Sequence, residues 1–224
     1  VVIVGMTLDE AHAAIDDMLL GNKMGNAGAR VVIEDFLQGE EASFIVMVDG
    51  NHVLPMATSQ DHKRLLDDDK GPNTGGMGAY SPAPAVTPDV YERAMNEIIL
   101  PTVAGMKAEG HEFTGFLYAG LMIDKTGAPY TIEFNCRFGD PETQPIMSRL
   151  DSDLVDLVES AIDGKLDSVT AEWNPQPAVG VVLAAQNYPD SPKKGDVIFG
   201  LDQANQIGKV FHAGTETNEK GEVV

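Results

Sequence analysis

The chain has 224 residues, of which 43% are apolar, and a chain of this size can bury a core without disulfides or structural metals. Its 35 acidic and 15 basic side chains give a formal charge of -20, which repels nucleic acids and anionic membranes, so we expect neither as a partner. The single cysteine, Cys136, excludes an internal disulfide, and no apolar run approaches the roughly 20 residues that cross a bilayer, so we expect a cytoplasmic protein.

The N-terminal part of the chain predicts two strands separated by a helix. Val1–Val4 has the composition of a strand, and Thr7 and Glu10 have the spacing of a capping box for a helix whose apolar stripe ends at Leu19. Arg30–Phe36 predicts the second strand. Because the chain begins within one predicted strand and ends at the start of another, we expect it to be a piece of a longer protein.

The next segments predict a hairpin followed by a long loop. Apolar runs at 43–48 and 52–57 flank Asp49-Gly50-Asn51, and Gly and Asn tolerate the positive φ that a tight hairpin turn needs. Segment 59–84 has little periodic pattern and is too long for an ordinary connection. Loops of that length are usually functional or disordered.

The second half predicts a helix, two strands, another helix and a small β-rich region. The first helix begins at Thr87-Pro88 and continues to about Lys107, with a kink at Pro101. Strands at 115–123 and 130–136 and a helix at 152–163 follow. After a linker near residue 174, the short apolar segments "AVGVVLAA", "GDVIFG" and "GKVFHAG" predict three strands.

The segment "TIEFNCRFGDPETQP" concentrates polar side chains at the end of a predicted strand. Side chains alternate between the two faces of a strand, so Glu133, Asn135 and, if the strand continues, Arg137 share one face. The same alternation predicts that Ile132, Phe134 and Cys136 lie on the opposite face. A carboxylate and an amide oxygen form a partial ligand set for Mg²⁺, and an arginine binds phosphate or carboxylate well. The turn that follows projects Asp140 and Glu142 toward the same end. The alternative is an edge strand with a solvated polar face.

Two further segments indicate contacts with a nucleotide. In "SQDHKRLLDDDKGPNTGGMGAYSP" the glycines let backbone amides approach an anion, and Lys63 adds a cation, although a plain surface loop would have a similar composition. In "VIEDFLQGEE" a strand end offers backbone groups to a purine edge, with Phe36 and Leu37 in apolar contact and Glu41 placed for ribose hydroxyls. The alternative for the second segment is an acidic strand end.

Taken together and in this order, these segments and "GFLYAGLMID" closely resemble the phosphoribosylamine–glycine ligase (glycinamide ribonucleotide synthetase) family of ATP-grasp enzymes in purine biosynthesis. The resemblance covers nearly the whole chain. It implies an α+β fold, namely a partial ATP-grasp fold followed by part of a small β-rich C-terminal domain. It also implies an activity: glycine takes a phosphoryl group from ATP, and 5-phosphoribosylamine then displaces phosphate from the glycyl phosphate.

The resemblance also implies a role for each matching residue. Arg137 is the expected catalytic residue, and Glu133 and Asn135 are the expected ligands of Mg²⁺ or Mn²⁺. The expected ATP ligands are Glu34, Asp35, Phe36, Leu37, Glu41, Lys63 and Asn73. The expected contacts of glycine and phosphoribosylamine are Thr74, Gly75, Gly76, Met77, Gly78, Asp140, Pro141 and Glu142.

Two departures from the family accompany these expectations. ATP-grasp enzymes often take a second acidic metal ligand from the preceding strand, where this chain has Leu121 and Ile123, and Asp124 at the turn is poorly placed. The family's N-terminal domain and its phosphate-binding lysine are not in this sequence. We therefore expect residues 1–38 to be the remainder of the nucleotide lid, 39–173 the central ATP-grasp part and 174–224 part of the C-terminal domain.

We expect the parent protein to be a monomer that acts on small molecules. Two rival hypotheses stay open at this point. The 224-residue chain alone could be a non-catalytic module that binds ATP and Mg²⁺, or the parent could be a related carboxylate–amine ligase with another acceptor.

Overall fold

The computed structural model describes residues 2–21, 25–68 and 70–224. The chain forms two compact units, Val1–Gly39 and Glu40–Val224. The helices and strands, in chain order, are α1 (Leu8–Leu19), β1 (Glu40–Asp49), β2 (Val53–Pro55), β3 (Gln60–Asp61), β4 (Arg64–Leu66), β5 (Lys70–Asn73), β6 (Gly78–Ser81), α2 (Pro88–Arg93), α3 (Leu100–Ala108), β7 (Thr114–Ile123), β8 (Pro129–Asn135), α4 (Thr143–Met147), α5 (Leu154–Ile162), β9 (Ala178–Val181) and α6 (Leu201–Ile207). Within the described part of the chain, no helix is both long and apolar enough to cross a bilayer.

The first unit contains the predicted helix and neither predicted strand. The Thr7 hydroxyl accepts a hydrogen bond from the Glu10 amide at 3.2 Å, and the Glu10 carboxylate accepts one from the Met6 amide at 2.8 Å, which confirms a capped start for α1. Residues 2–4 and 30–36 are irregular, so the two strand predictions are wrong, and Val1 lies outside the described residues. Val32 and Ile33 are 84% and 77% exposed. A strand needs a neighbour to pair its backbone, and none pairs with these segments among the described residues.

A four-stranded antiparallel sheet in the order β2-β1-β7-β8 forms the centre of the second unit. The hairpin between β1 and β2 is confirmed, because the Asp49 carboxylate accepts hydrogen bonds from the Asn51 and His52 amides at 2.9 and 2.7 Å and Gly50 has φ +95°. The strand predictions for β7 and β8 are confirmed to within one residue at each end. The sheet therefore carries the polar strand end that the sequence singled out.

Alternation along β1 and β7 buries both faces of this sheet. Phe44, Val46 and Ala119 pack against Ala94 and Ile99 of the helical segment that follows α2. A second set of buried residues covers the opposite face. There the sheet contributes Ile45, Met47 and Tyr118, and they pack with Ile146 of α4, Leu157 of α5 and Leu166 of the turn after α5. Burial on both faces explains why β1 is a nearly continuous apolar run.

The predicted helix at 87–107 is confirmed, with an irregularity in its middle. Thr87 caps α2 through a 3.3 Å hydrogen bond from the Val90 amide, and residues 94–99 form a π-helical stretch between α2 and α3. Pro101 lies in the first turn of α3, where its missing N–H removes one helical hydrogen bond. The π-helical stretch ends two residues before Pro101, the position where the sequence predicts a kink.

The predicted long loop and the C-terminal strands differ from expectation. Segment 59–84 contains four short strands, and β6 pairs with β9 in antiparallel register from Gly78↔Val181 to Ser81↔Ala178. The strand prediction at 178–185 is confirmed for its first half as β9. The strand predictions at 195–200 and 208–214 are wrong. Both segments are irregular, and helix α6 lies between them. Phe199 and Ile207 are 86% and 92% exposed, so these apolar side chains are not packed in a core.

Candidate functional site

The end of β8 brings the two predicted metal ligands together. The Asn135 amide nitrogen donates a 3.1 Å hydrogen bond to the Glu133 carboxylate, so both side chains lie on one face as strand alternation predicts. Glu133 is exposed and Asn135 is half-buried. Strand β8 ends at Asn135, and the Arg137 guanidinium donates to the carbonyl of Phe138 at 2.8 Å. Arg137 is therefore exposed beyond the strand and not part of its alternating row.

A β-bulge in β8 modifies the predicted alternation. Gly120 pairs with Glu133 and the next residue of β7, Leu121, pairs with Thr131, so Ile132 is the extra residue. Ile132 lines the same recess as the polar residues described below. The prediction that Ile132 belongs to the opposite face is wrong, because a bulge interrupts the regular two-residue period.

Lys63 contacts one of the predicted acidic residues, Glu41, and is affected by the charge of another, Glu133. Its ammonium donates to the Glu41 carboxylate at 2.8 Å, and both side chains are partly exposed. Burial lowers the pKa of Lys63, but the hydrogen bond to Glu41 and the charges of Glu41, Asp61 and Glu133 raise it, and the net shift is upward. The charge of Glu133 acts on Lys63, so the structure brings a predicted phosphate ligand and a predicted metal ligand into one electrostatic site.

A shallow recess opens beside this pair. Its empty volume, including the open mouth, is about 200 Å³. The side chains that give it its chemistry are Glu41, Ser43, Asp61, Lys63, Tyr118 and Ile132. Cationic, anionic and hydroxyl groups therefore meet on the sheet face that carries Glu133.

The loop from Asn73 to Gly78 is fixed by backbone contacts. The Thr74 amide and hydroxyl both donate to the Lys63 carbonyl, at 2.7 and 2.8 Å, and the Thr74 hydroxyl accepts from the Gly76 amide at 3.0 Å. The Met77 amide donates to the His62 carbonyl at 2.7 Å, and the Gly75 amide donates to the Tyr188 hydroxyl at 3.0 Å. Exposed Asn73 ends β5 opposite Arg64.

The same loop touches the predicted turn at 140–142. Gly76 has φ +121°, and a Cβ placed on it would collide with Cδ of Pro141 and lie 3.0 Å from Oδ1 of Asp61. Only glycine fits this conformation and this space. The structure therefore brings the two predicted substrate segments together, with Gly76 as the point of contact.

Glu142 lies beneath this contact, with only 2% of its surface exposed. Its Oε1 is 2.7 Å from the Ser43 hydroxyl and 2.9 Å from the Tyr118 hydroxyl, and the two hydroxyl oxygens are 2.9 Å apart. Burial and the charge of Glu142 raise the pKa of Tyr118, so this tyrosine stays protonated and can donate. The predicted substrate contact of Glu142 stays a prediction, whereas Asp140 is exposed at the surface.

Asp61 joins this group, and sequence reasoning missed it. Burial, then the charge of Glu142, raises the pKa of Asp61 to about 7. Lys63 lowers this pKa, and Glu41 and Asp140 raise it. Its Oδ1 is buried and has no hydrogen-bond partner among the residues that the structure describes. Its position two residues before Lys63, in a chain segment already marked as polar, was the available signal.

The residues present fit a divalent cation only as part of its ligand shell. Leu121 and Ile123 are buried in the core, and the Asp124 carboxylate accepts hydrogen bonds from the Thr126 and Ala128 amides at 2.8 and 2.9 Å. The hydrogen bond from the Thr126 hydroxyl is the largest cause of the lowered pKa of Asp124. The described part of the chain contains no cluster of three or more His, Cys, Asp or Glu arranged for a metal. Glu133 and Asn135 leave the remaining positions to water and phosphate oxygens, which Mg²⁺ accepts readily.

The predicted adenine segment lies in the other compact unit. Glu34, Asp35 and Phe36 are exposed and Leu37 is half-buried. These four residues belong to Val1–Gly39, whereas Glu41 belongs to the unit that begins at Glu40. Their role as adenine ligands stays a prediction.

Comparisons with known proteins identify the family of the chain. The family model "Phosphoribosylglycinamide synthetase, ATP-grasp (A) domain" matches residues 1–143, and the model of the C domain of the same synthetase matches residues 178–224. The chain is 90% identical over 223 residues to phosphoribosylamine–glycine ligase of Neisseria meningitidis serogroup B and 69% identical to that of Xanthomonas axonopodis pv. citri. It is covered completely in both comparisons and spans 53% and 52% of these relatives.

Solved structures give the same result for the fold. The crystal structure of phosphoribosylamine–glycine ligase from Thermotoga maritima aligns with 99% of this chain and 54% of that chain, with a TM-score of 0.82 and 32% identity. A biotin carboxylase domain from Hydrogenobacter thermophilus, in complex with MgADP, aligns with 80% of this chain at a TM-score of 0.56 and 14% identity, which shows the fold alone. The partial ATP-grasp fold and the family resemblance are thereby confirmed: this chain belongs to the phosphoribosylglycinamide synthetase family.

Proposed function

We propose that the full-length protein ligates glycine to 5-phosphoribosylamine, with glycyl phosphate as intermediate and glycinamide ribonucleotide, ADP and phosphate as products. The observation that carries this proposal is the Glu133–Asn135 pair, whose carboxylate acts on the Lys63 ammonium within a chain of this family. An exposed carboxylate, an amide oxygen and a cation at one strand end suit the positioning of transferring phosphoryl groups.

The remaining predicted residues take roles that fit their positions. Lys63 and Asn73 bind nucleotide phosphates, Glu41 binds the ribose, and Glu34–Leu37 bind adenine. Arg137, exposed at the strand end, neutralises charge on the acyl phosphate. The Thr74–Gly78 loop and the Asp140–Glu142 turn, which meet at Gly76 and Pro141, hold glycine and the amine substrate.

Glu133 and Asn135 hold a divalent cation, Mg²⁺ or Mn²⁺. When bound, the cation neutralises the phosphate charges of ATP and so lowers the cost of phosphoryl transfer. Two contacts among the chain's own residues support this role: Asn135 donates a 3.1 Å hydrogen bond to Glu133, and the charges of Glu133 and Lys63 attract each other.

The chain spans about half the length of the curated relatives it matches, so the activity is proposed for the full-length protein. We place the remainder of the nucleotide lid at 1–38, the central ATP-grasp part at 39–173 and part of the C-terminal domain at 174–224. We also propose a cytoplasmic monomer that acts on small molecules.

The test is product formation by full-length protein from ATP, glycine and phosphoribosylamine. We expect ADP release that requires glycine and an amide product that requires both substrates. Each substrate is then replaced in turn by other carboxylates and amines of similar size. Faster turnover with a different pair would assign the protein to another carboxylate–amine ligase and contradict the proposal.

The coverage of about half of each relative favours one second candidate, a nucleotide-binding function for the 224-residue chain alone. Titration calorimetry with ATP and Mg²⁺, followed by an assay for ADP release, distinguishes the two for this chain. Binding without turnover supports the binding module, and turnover by the chain alone contradicts it.

A further inference from the structure

Asp61 occupies a position between the recess and the loop that meets the 140–142 turn. It ends β3, lines the recess with Lys63 and lies against Gly76, which itself contacts Pro141. Neither the sequence pattern nor the predicted site assigns it a role. Its location is nevertheless where the predicted phosphate ligand and the two predicted substrate segments converge.

Asp61 is surrounded by acidic side chains, and its buried oxygen Oδ1 lacks a hydrogen-bond donor among the described residues. Oδ1 has no partner among the described residues, and the one other buried side-chain acceptor in that state, Oε1 of Gln144, lies three residues after Pro141. Oε1 of the nearby Glu142 is occupied as an acceptor, since it receives hydrogen bonds from the Ser43 and Tyr118 hydroxyls at 2.7 and 2.9 Å. Buried acceptors without partners are rare, and each one needs an explanation such as a ligand or catalytic role.

We propose that the Asp61 carboxylate accepts the proton that the amine substrate releases when its nitrogen attacks the acyl phosphate. The nitrogen lone pair forms the C–N bond while the C–O bond to phosphate breaks, and phosphate leaves with that electron pair. The proton passes from nitrogen to a carboxylate oxygen of Asp61. This inference rests on the proposed function, since it assigns a residue to the second step of that reaction.

The charges around Asp61 suit this step. An attacking amine becomes positively charged, and the carboxylates of Glu142, Glu41 and Asp140 stabilise positive charge near Asp61. Lys63, the predicted phosphate ligand, is the opposing cation and lines the same recess as Asp61. The pKa of about 7 also matches the task, because a general base works best when its pKa is near the working pH.

The experiment uses the full-length protein and separates the two reaction steps. Hydroxylamine is a small nucleophile that traps an acyl phosphate without needing the amine site, so glycine hydroxamate reports the first step. Amide formation from phosphoribosylamine reports the second. We compare wild type, Asp61→Asn, Asp61→Glu and, as a matched surface control, Asp89→Asn at the start of α2.

We expect Asp61→Asn to keep hydroxamate formation within about twofold and to lose amide formation about 100-fold or more, a typical contribution of general base catalysis. Asp61→Glu should restore part of the amide rate, and Asp89→Asn should match wild type in both assays. In wild type, the rate of amide formation should fall as the pH drops below about 7, and this dependence should be absent from Asp61→Asn.

Three outcomes would overturn the inference, and they differ from one another. A wild-type protein that forms neither hydroxamate nor amide refutes the proposed function itself. Normal amide formation by Asp61→Asn refutes the role of Asp61 alone. Loss of hydroxamate together with amide, in a variant that still binds ATP, shows that Asp61 binds glycine or supports the first step. If Asp61→Asn does not fold, Asp61→Glu decides the question through its shifted pH dependence.

Discussion

Two acidic groups whose charges reach Lys63 differ in their access to water. Glu133, with Asn135, is exposed at the end of β8, whereas Asp61 and Glu142 are largely enclosed by the 74–78 loop and the sheet. Burial and the charge of Glu142 raise the pKa of Asp61, whereas Glu133 is open to solvent and to a metal ion. The comparison shows that carboxylates in one site differ in chemistry with their surroundings, so the predictions below test each group separately.

The largest expected effect belongs to the exposed group. Replacing Glu133 by Gln in the full-length protein removes the anionic metal ligand and should reduce glycine-dependent ADP release by about 100-fold or more. The melting temperature should change little, because exposed substitutions usually alter stability by about 0.5 kcal/mol or less. Steady-state assays across a range of Mg²⁺ concentrations measure the effect, with Glu159→Gln on α5 as a matched exposed control. Near-normal turnover at low Mg²⁺ would remove Glu133 from the metal site.

Lys63, whose charge acts with both groups, should give the next largest effect. Lys63→Met removes the ammonium that contacts Glu41, and ATP affinity should fall roughly 10- to 100-fold, since a hydrogen bond to a charged group contributes about 1.5–3 kcal/mol. Calorimetry of ATP binding measures it. Lys70→Met, which removes an exposed ion pair with Asp68, serves as the control and should leave affinity unchanged. Equal losses in both variants would show that only overall charge matters.

The loop that encloses Asp61 depends on Gly76. A Gly76→Ala substitution places a Cβ against Pro141 at a positive φ, and we expect a loss of about 1–3 kcal/mol in the free energy of unfolding. Gly105 in α3 is the control, since a Cβ there meets nothing within 4 Å and Gly105→Ala should stabilise the helix by about 0.5–1 kcal/mol. Urea denaturation monitored by circular dichroism compares the two variants. An unchanged free energy of unfolding in Gly76→Ala would show that the loop does not depend on the close approach of Gly76 to Pro141.

The smallest expected effect is a pH-dependent change in stability at Asp61. Its folded pKa of about 7 lies above the ordinary value of 3.8, so folding is most favoured with the proton bound, and this stabilisation is lost as the pH rises through 7. Asp61→Asn mimics the protonated form. The difference from wild type should be smallest near pH 4, grow between pH 4 and 7, and reach a melting temperature about 2–4 °C higher at pH 8, which corresponds to about 1 kcal/mol. A difference of the same size at pH 4 and pH 8 would contradict a raised pKa.

The sequence predicted those elements whose signals are local. The cap at Thr7, the hairpin turn at Asp49-Gly50-Asn51 and the alternation that places Glu133 beside Asn135 all depend on residues a few positions apart. Ile132 was assigned to the wrong face because a bulge depends on how β8 pairs with β7, which a single strand does not encode.

The buried part of the site was less accessible to sequence reasoning for the same reason. Ser43, Tyr118 and Glu142 lie 75 and 24 positions apart along the chain, and only the folded sheet brings them within 2.9 Å of one another. Burial and then the charge of Glu142 raise the pKa of Asp61, and Glu142 is likewise remote from Asp61 in sequence. The strand predictions at 30–36, 195–200 and 208–214 failed because apolar composition alone does not supply a neighbouring strand.

The pairing of β6 with β9 bears on how relatives of this protein can recombine. Residues 78–81 fall within the match to the ATP-grasp domain, and residues 178–181 fall within the match to the C domain. The Tyr188 hydroxyl also accepts a hydrogen bond from the Gly75 amide across the same junction. Backbone pairing tolerates many side chains, but the contact with Gly75 needs the tyrosine hydroxyl. A hybrid gene with its crossover between residues 82 and 177 would therefore inherit the glycine loop from one parent and its anchor from the other. Hybrids whose second parent lacks a tyrosine at position 188 should lose this hydrogen bond and hold the glycine loop less firmly.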